Sequence, residues 1–167
     1  MEYEYFLKRI HGVIMPSTGC TEPVAIALNT ATARANVQGA VRHLTITLDN
    51  YLYKNAMGVG IPGADERGVA LCAAMGVTAG DASAKMRVLD HVSPEALSTA
   101  KQMVAEGRVT VKTRDDVHGL LVESVLETDS DTVRVLTLQS HTNIVRVDHA
   151  PFEAYVEREN GSAAGDP

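Results

Sequence analysis

An α+β fold, with N-terminal and central helices packed on a mainly antiparallel sheet, follows from two regularities in this chain. Up to Gly107 the apolar residues recur mostly at helical spacing, with one half-buried strand pattern among them. From Val109 the period drops to two, and short turn-rich links separate successive runs, which predicts an antiparallel meander over residues 109–147. Helices grouped upstream of sequential strands define the α+β class. The 167 residues suit a single domain, placed at 1–156, with a flexible tail over 157–167 that ends in Gly-Ser-Ala-Ala-Gly-Asp-Pro.

The elements follow in order. Tyr3, Phe6, Leu7, Ile10 and Ile14 stand at helical spacing with Lys8 and Arg9 between them, an amphipathic helix. The run Ser17-Thr18-Gly19-Cys20-Thr21-Glu22-Pro23 passes from loop into helix. Pro23 fits a first turn, where its missing N–H is no loss, and Thr21 or Glu22 can cap. Val24-Ala25-Ile26-Ala27-Leu28, then Ala31, Ala33 and Ala35, continue this helix as a largely buried one to about Val37. Arg42 to Leu48 alternates Leu44, Ile46 and Leu48 against His43, Thr45 and Thr47, a half-buried strand. Asp49 to Met57 leads into the glycine-rich Gly58-Val59-Gly60-Ile61-Pro62-Gly63. Arg67 to Val77 reads as an Ala-rich helix stopped by Gly76 or Gly80. Ser93-Pro94 opens another in the N-cap/N1 arrangement, with Leu97, Ala100, Met103 and Val104 inward and Gly107 closing it. Four strands follow, at Val109–Lys112, Leu120–Glu127, Thr132–Gln139 and Asn143–Val147, with Asp129-Ser130-Asp131 as the tight link in the middle.

Hydrophobic content of 45% is ordinary, but aromatic content of 4% without Trp leaves the core to Ala, Val, Leu, Ile and Met. A net charge of -6 with no Lys/Arg cluster argues against nucleic acid. No apolar run reaches membrane-spanning length, and Met1-Glu2-Tyr3-Glu4 does not start a signal peptide. Cys20 and Cys72 make no disulfide framework, so a reduced, cytoplasmic protein is the simplest reading.

Cys20 is the residue most suggestive of chemistry. A thiol just before a helix faces unpaired N–H groups and the positive end of the dipole, which favour the thiolate that a nucleophile or metal ligand must be. A free cysteine is also often a small buried hydrophobe. Cys72, inside Val69-Ala70-Leu71-Cys72-Ala73-Ala74-Met75, reads as a packed core thiol. Gly58 to Gly63 matches G-x-G-x-x-G letter for letter, but the nearest strand ends near Leu48, Pro62 stiffens the turn, and no βαβ repeat follows. A loop offering amides to an anion such as a carboxylate, with Lys54 as counter-charge, suits it better; a plain turn is the alternative. In Ser140-His141-Thr142-Asn143, His141 is either a general acid/base or metal ligand, or a solvent-facing hairpin histidine. His11, His43, His91, His118 and His149 show no ligand spacing, and no zinc pair is present.

Taken together, Gly19-Cys20-Thr21-Glu22-Pro23 with its Ala-rich helix, Lys54-Asn55 leading to Gly58-Val59 and Pro62-Gly63, Val109-Thr110-Val111-Lys112, and His141-Thr142-Asn143-Ile144-Val145 resemble the L-cysteine desulfidases, relatives of the iron–sulfur L-serine dehydratases. Order and separation agree up to about Val147. The resemblance implies a lyase converting L-cysteine, or L-serine, to pyruvate and ammonia with release of sulfide or water. It also implies an oxygen-sensitive 4Fe–4S cluster, one iron of which lacks a protein thiolate and acts as a Lewis acid. Residue by residue, it assigns Cys20 to the metal, Lys54, Asn55 and His141 to catalysis, and Thr21, Glu22, Gly58, Gly60, Thr142 and Asn143 to substrate binding; which group takes the α-proton stays open.

Two departures qualify the match. Family enzymes are more than twice this length and carry their other cluster cysteines in the later half, so the chain reads as an N-terminal half or subunit, inactive without a C-terminal half or second subunit, and as part of an oligomer. The family's Asn three residues before the Lys is here Tyr51, with Asn50 one step earlier, which bears on the choice of substrate. Its partner half is expected to cover an apolar face built from the helix after Pro23 and the glycine-rich loop. Two other classes compete: a hydrolase or transferase with Cys20 as nucleophile and His141 as base, and a non-catalytic module binding a small anion on the Gly58–Gly63 loop.

Overall fold

The computed structural model describes residues 2–13, 17 and 19–153. The tail expected over 157–167, the domain limit at 156 and Ile14 lie outside the described residues. The elements are α1 (Glu2–Val13), α2 (Thr21–Ala35), β1 (Val41–Asp49), α3 (Asn50–Gly58), α4 (Val69–Ala79), a 3-10 helix (Ala82–Arg87), α5 (Pro94–Ala105), β2 (Val109–Arg114), β3 (Leu121–Thr128), β4 (Thr132–Leu138) and β5 (Ile144–His149). Helices and a five-stranded mixed sheet make this an α+β fold, as the sequence predicts.

The sheet order is β2-β1-β3-β4-β5. The meander is confined to β3, β4 and β5; β2 does not pair with β3 but runs parallel to β1, which also pairs antiparallel with β3. The reason is burial and reach. Leu44, Ile46 and Leu48 are fully buried, so β1 takes a central position that needs a neighbour on both edges. The segment through α3, α4 and α5 is long enough for the crossover that parallel pairing demands. In the resulting register Val109 stands beside Leu44 and Val111 beside Ile46. The 115–120 link then passes across the end of β1 to reach β3.

α2 lies on β3 and β4, α4 on β1 and β2, and α5 packs outside α4. α2 and α4 take the sheet face bearing Leu44, Ile46, Val122, Val133 and Val135, all fully buried. α2 and α4 cross closely because small residues meet there. A Cβ at Gly76 would collide with Thr30 Oγ1 and stand 2.5 Å from the Ala27 carbonyl. Buried Asn29 fastens α2 to the sheet, its Nδ2 lying 3.0 Å from Val122 O, 3.2 Å from Val135 O and 2.9 Å from Thr137 Oγ1. The Cys72 thiol is a packed core thiol that donates to Pro23 O at 2.9 Å, and burial pushes its pKa up to about 12. The helix after Pro23 is therefore interior to this domain: Val24 to Leu28 are buried against the chain's own sheet and α4, not left as an apolar face for a partner.

α5 opens as expected, Ser93 Oγ accepting from Ala96 N at 3.2 Å. α4 starts and ends two residues later than the alanine pattern suggests. The 49–57 stretch contains a helix the sequence reading did not assign. No helix among the described residues is long and apolar enough to cross a membrane.

Candidate functional site

The end of β1 is organised by one side chain. Asp49 is 4% exposed, and its Oδ1 accepts from Tyr51 N at 3.0 Å and Leu52 N at 2.9 Å, capping α3. Its Oδ2 accepts from Leu121 N at 2.8 Å, which fastens the incoming 115–120 link. Gln139 N donates to Leu120 O at 3.0 Å and draws the β4–β5 hairpin alongside. The first turns of α2 and α3, the link and the hairpin thus meet around a cleft of about 260 Å³ lined by Glu22, Asp49, Tyr51, Leu52, Asn55, Gly119, Leu120 and His141.

Three of the residues singled out in sequence come together here: Glu22, Asn55 and His141. Asn55 Nδ2 donates to Glu22 Oε1 at 3.5 Å, the outer edge of hydrogen bonding, and Thr21 Oγ1 donates to Glu22 Oε2 at 3.2 Å. Both carboxylate oxygens are therefore oriented, one from α3 and one from α2. Cys20 itself holds the N-cap position of α2 in extended conformation, exposed and without a side-chain capping bond. Thr21 and Glu22 occupy the first turn and do not cap it. The Cys20 loop lies against the glycine-rich one, since a Cβ at Gly19 would stand 2.9 Å from Pro62 Cγ.

The remaining candidates fall elsewhere. Lys54 is exposed and pairs with no acidic side chain among the described residues; it sits one residue, or ~100° of helix, from Asn55 and does not line the cleft. Gly58 ends α3, its carbonyl accepting from Arg67 Nη1 at 3.2 Å, and Gly60 pairs with Arg67 in an antiparallel bridge. The loop is thus a turn closed on its own return segment, following a helix and not the strand a dinucleotide loop requires. Asn143 closes the hairpin: its Nδ2 donates to Leu138 O at 3.0 Å and its carbonyl accepts from Leu138 N. Thr142 is half-buried in the same turn. The polar run 140–143 is explained in good part by this closure, while His141 alone of the four lines the cleft.

Sequence reasoning missed Asp49 and named Tyr51 only as a departure from a pattern. An acidic residue directly before a helix is a capping signal, and it would have found both α3 and Asp49. Tyr51 is 83% exposed and stands on the rim. A carboxylate, an amide and an imidazole on one cleft can bind an ammonium group, orient a small polar molecule and move a proton. No group of three or more His, Cys, Asp or Glu side chains able to hold a metal exists among the described residues. Of the two thiols only Cys20 is accessible.

Fold and site define a two-layer α+β domain with a polar cleft where its central strand ends. Its homologues are UPF0597 proteins. The chain is 35% identical over 88% of its length to a UPF0597 protein of Oleidesulfovibrio alaskensis, and 34% identical over 85% to one of Dichelobacter nodosus. It is 33% identical over 95% of its length to the UPF0597 protein YhaM of Salmonella paratyphi C. These alignments take in 34%, 33% and 36% of the respective relatives, so the chain spans about a third of their length. No protein-family model matches the chain.

Proposed function

We propose that this chain is the substrate-binding part of a cytoplasmic amino-acid lyase that converts L-cysteine, or L-serine, to pyruvate and ammonia with release of sulfide or water. The observation that carries the reading is the meeting of Glu22, Asn55 and His141 on one cleft, at the start of the helix whose N-cap position Cys20 occupies. The resemblance of the ordered motifs to those of the L-cysteine desulfidases suggests the reaction class. Glu22, its two oxygens already oriented by Thr21 and Asn55, suits the substrate ammonium. The Asn55 amide suits its carboxylate. His141, the imidazole on the same cleft, is our candidate for exchanging a proton with the substrate. Lys54, Gly58 and Gly60 lie off this cleft, so substrate contact rests on the three residues that line it.

Cys20 fits the role of a cluster ligand: it is exposed, stands at the N-cap position of α2 and makes no side-chain capping bond, so its sulfur is free to bind. Cys72 does not fit, being buried and committed to the Pro23 carbonyl. An iron–sulfur cluster would therefore be held by Cys20 together with cysteines outside this chain. When bound, a 4Fe–4S cluster supplies a Lewis-acidic iron to the departing thiol or hydroxyl.

The test is anaerobic co-expression with a polypeptide covering the rest of a UPF0597 relative, followed by iron and sulfide analysis and a pyruvate assay on L-cysteine and L-serine. Wild type should retain iron and release pyruvate. Cys20→Ser should lose iron while Cys72→Ser keeps it, and His141→Asn should keep iron while kcat falls roughly a hundredfold. Equal iron in wild type and Cys20→Ser would overturn the ligand assignment, and an unchanged kcat in His141→Asn would remove the histidine from the chemistry.

A further inference from the structure

We propose that the apolar stripe of α1 is a docking surface for the polypeptide corresponding to the two-thirds of the relatives' length that this chain does not represent. Tyr3, Phe6, Leu7 and Ile10 stand at i, i+3, i+4 and i+7, on one face of the helix. They are 76%, 57%, 36% and 46% exposed. Phe6 is further held in an edge-to-face contact with Tyr5, ring centroids 5.9 Å apart. In a protein with so few aromatic residues, grouping three of them in the open on one short helix is a costly use of apolar area.

No described α1 residue belongs to the buried core, whose helical side is already covered by α2 and α4. A twelve-residue helix whose described apolar residues stand largely in the open is marginal in water, and a surface that covers the stripe would stabilise it. Anchors at this spacing are what an apolar groove accepts from a helix.

The relatives say which surface. The match to YhaM takes in 95% of this chain and leaves out fewer residues than the twelve of α1, so α1 lies at least partly within the shared stretch. In that relative the shared stretch is 36% of the whole, which leaves a polypeptide large enough to provide a groove. A second copy of this chain is the less favoured occupant, because a net charge of -6 on each opposes their approach. The inference rests on the similarity and on burial, and is independent of the lyase chemistry.

The experiment uses the full chain and, as probe, the part of Salmonella paratyphi C YhaM outside the aligned stretch, made as a separate polypeptide. Association is read by titration calorimetry, and stoichiometry by light scattering on a sizing column. A one-to-one complex should form; the double variant Phe6→Glu/Ile10→Glu should weaken it at least tenfold, and Glu4→Gln, off the stripe, should change it less than twofold. Urea midpoints of all variants should match wild type, since α1 is outside the core. The proposal is overturned if no complex forms, if the double variant binds as well as wild type, or if it unfolds at lower urea. It is equally overturned if the wild-type chain alone dimerises and the double variant abolishes the dimer, which would make a second copy the occupant. Complex formation without iron or activity would count against the lyase reading only.

Discussion

Replacing Asp49 by Asn tests the organisation of the cleft with a change of one atom. The carboxylate accepts three backbone N–H groups at 3.0, 2.9 and 2.8 Å, from Tyr51, Leu52 and Leu121, in a site 4% exposed. An Asn can keep the first two through its carbonyl oxygen, but as neutral bonds of roughly half the strength. Its NH2 then faces the Leu121 N–H, two donors together, and leaves a buried amide unpaired at a cost of about 1–3 kcal/mol. Adding the weakened pair gives a loss of about 3 kcal/mol, or ~6–12 °C in Tm for a domain of this size. Urea and thermal unfolding followed by circular dichroism at neutral pH measure it directly. A loss below ~1 kcal/mol would refute the argument, because a carboxylate so replaceable is not the fastening point of α3 and the 115–120 link.

Two further outcomes are expected. The unfolded thiol of Cys72 has an ordinary value of 9.0 and the folded one is pushed up to about 12, so the folded state holds its proton longer. The thiol's contribution is complete below pH 9.0 and is lost as pH rises toward 12, by about 1.4 kcal/mol per unit; Cys72→Ala should show a flatter decline between these limits, and parallel curves would count against the assignment. Gly76→Ala sets a methyl against Thr30 and, at 2.5 Å, the Ala27 carbonyl, and backbone cannot give way as a side chain does. Overpacking of ~1–3 kcal/mol should outweigh the better helix propensity, lowering the urea midpoint; a raised midpoint would mean that α2 and α4 do not cross this closely.

Where local chemistry decides, the fold was legible. The Ser93-Pro94 start of α5 is written in adjacent residues, and the alternation of Leu44, Ile46 and Leu48 marks β1 without help from its neighbours. α3 was not, because its nine residues bury only Leu52 and Ala56, and its cap is as much a bond to Leu121, 72 positions away, as a local turn. β2 was recognised as a strand but assigned the wrong partner: Val109 and Val111 state that one face is buried, not which neighbour buries it. In the site, His141 was named from its setting and Glu22 and Asn55 from the family resemblance, yet what joins them is the pair of links from Asp49 to Leu121 and from Gln139 to Leu120. Lys54 shows the converse, since adjacency to Asn55 in the chain puts it on a different side of the helix.

The two cysteines, so unlike in exposure, meet at the same end of one helix. α2 is a rod of fifteen residues, about 22 Å long. Its first turn is gripped by the Cys72 thiol at the Pro23 carbonyl, its middle by Asn29 against two strands, and its flank by the seam at Gly76. A shaft seated in this way does not bend to meet a visitor. Cys20 therefore stands at the mouth of a helix whose position is set by the sheet at Val122 and Val135, and not by the loop that leads into it.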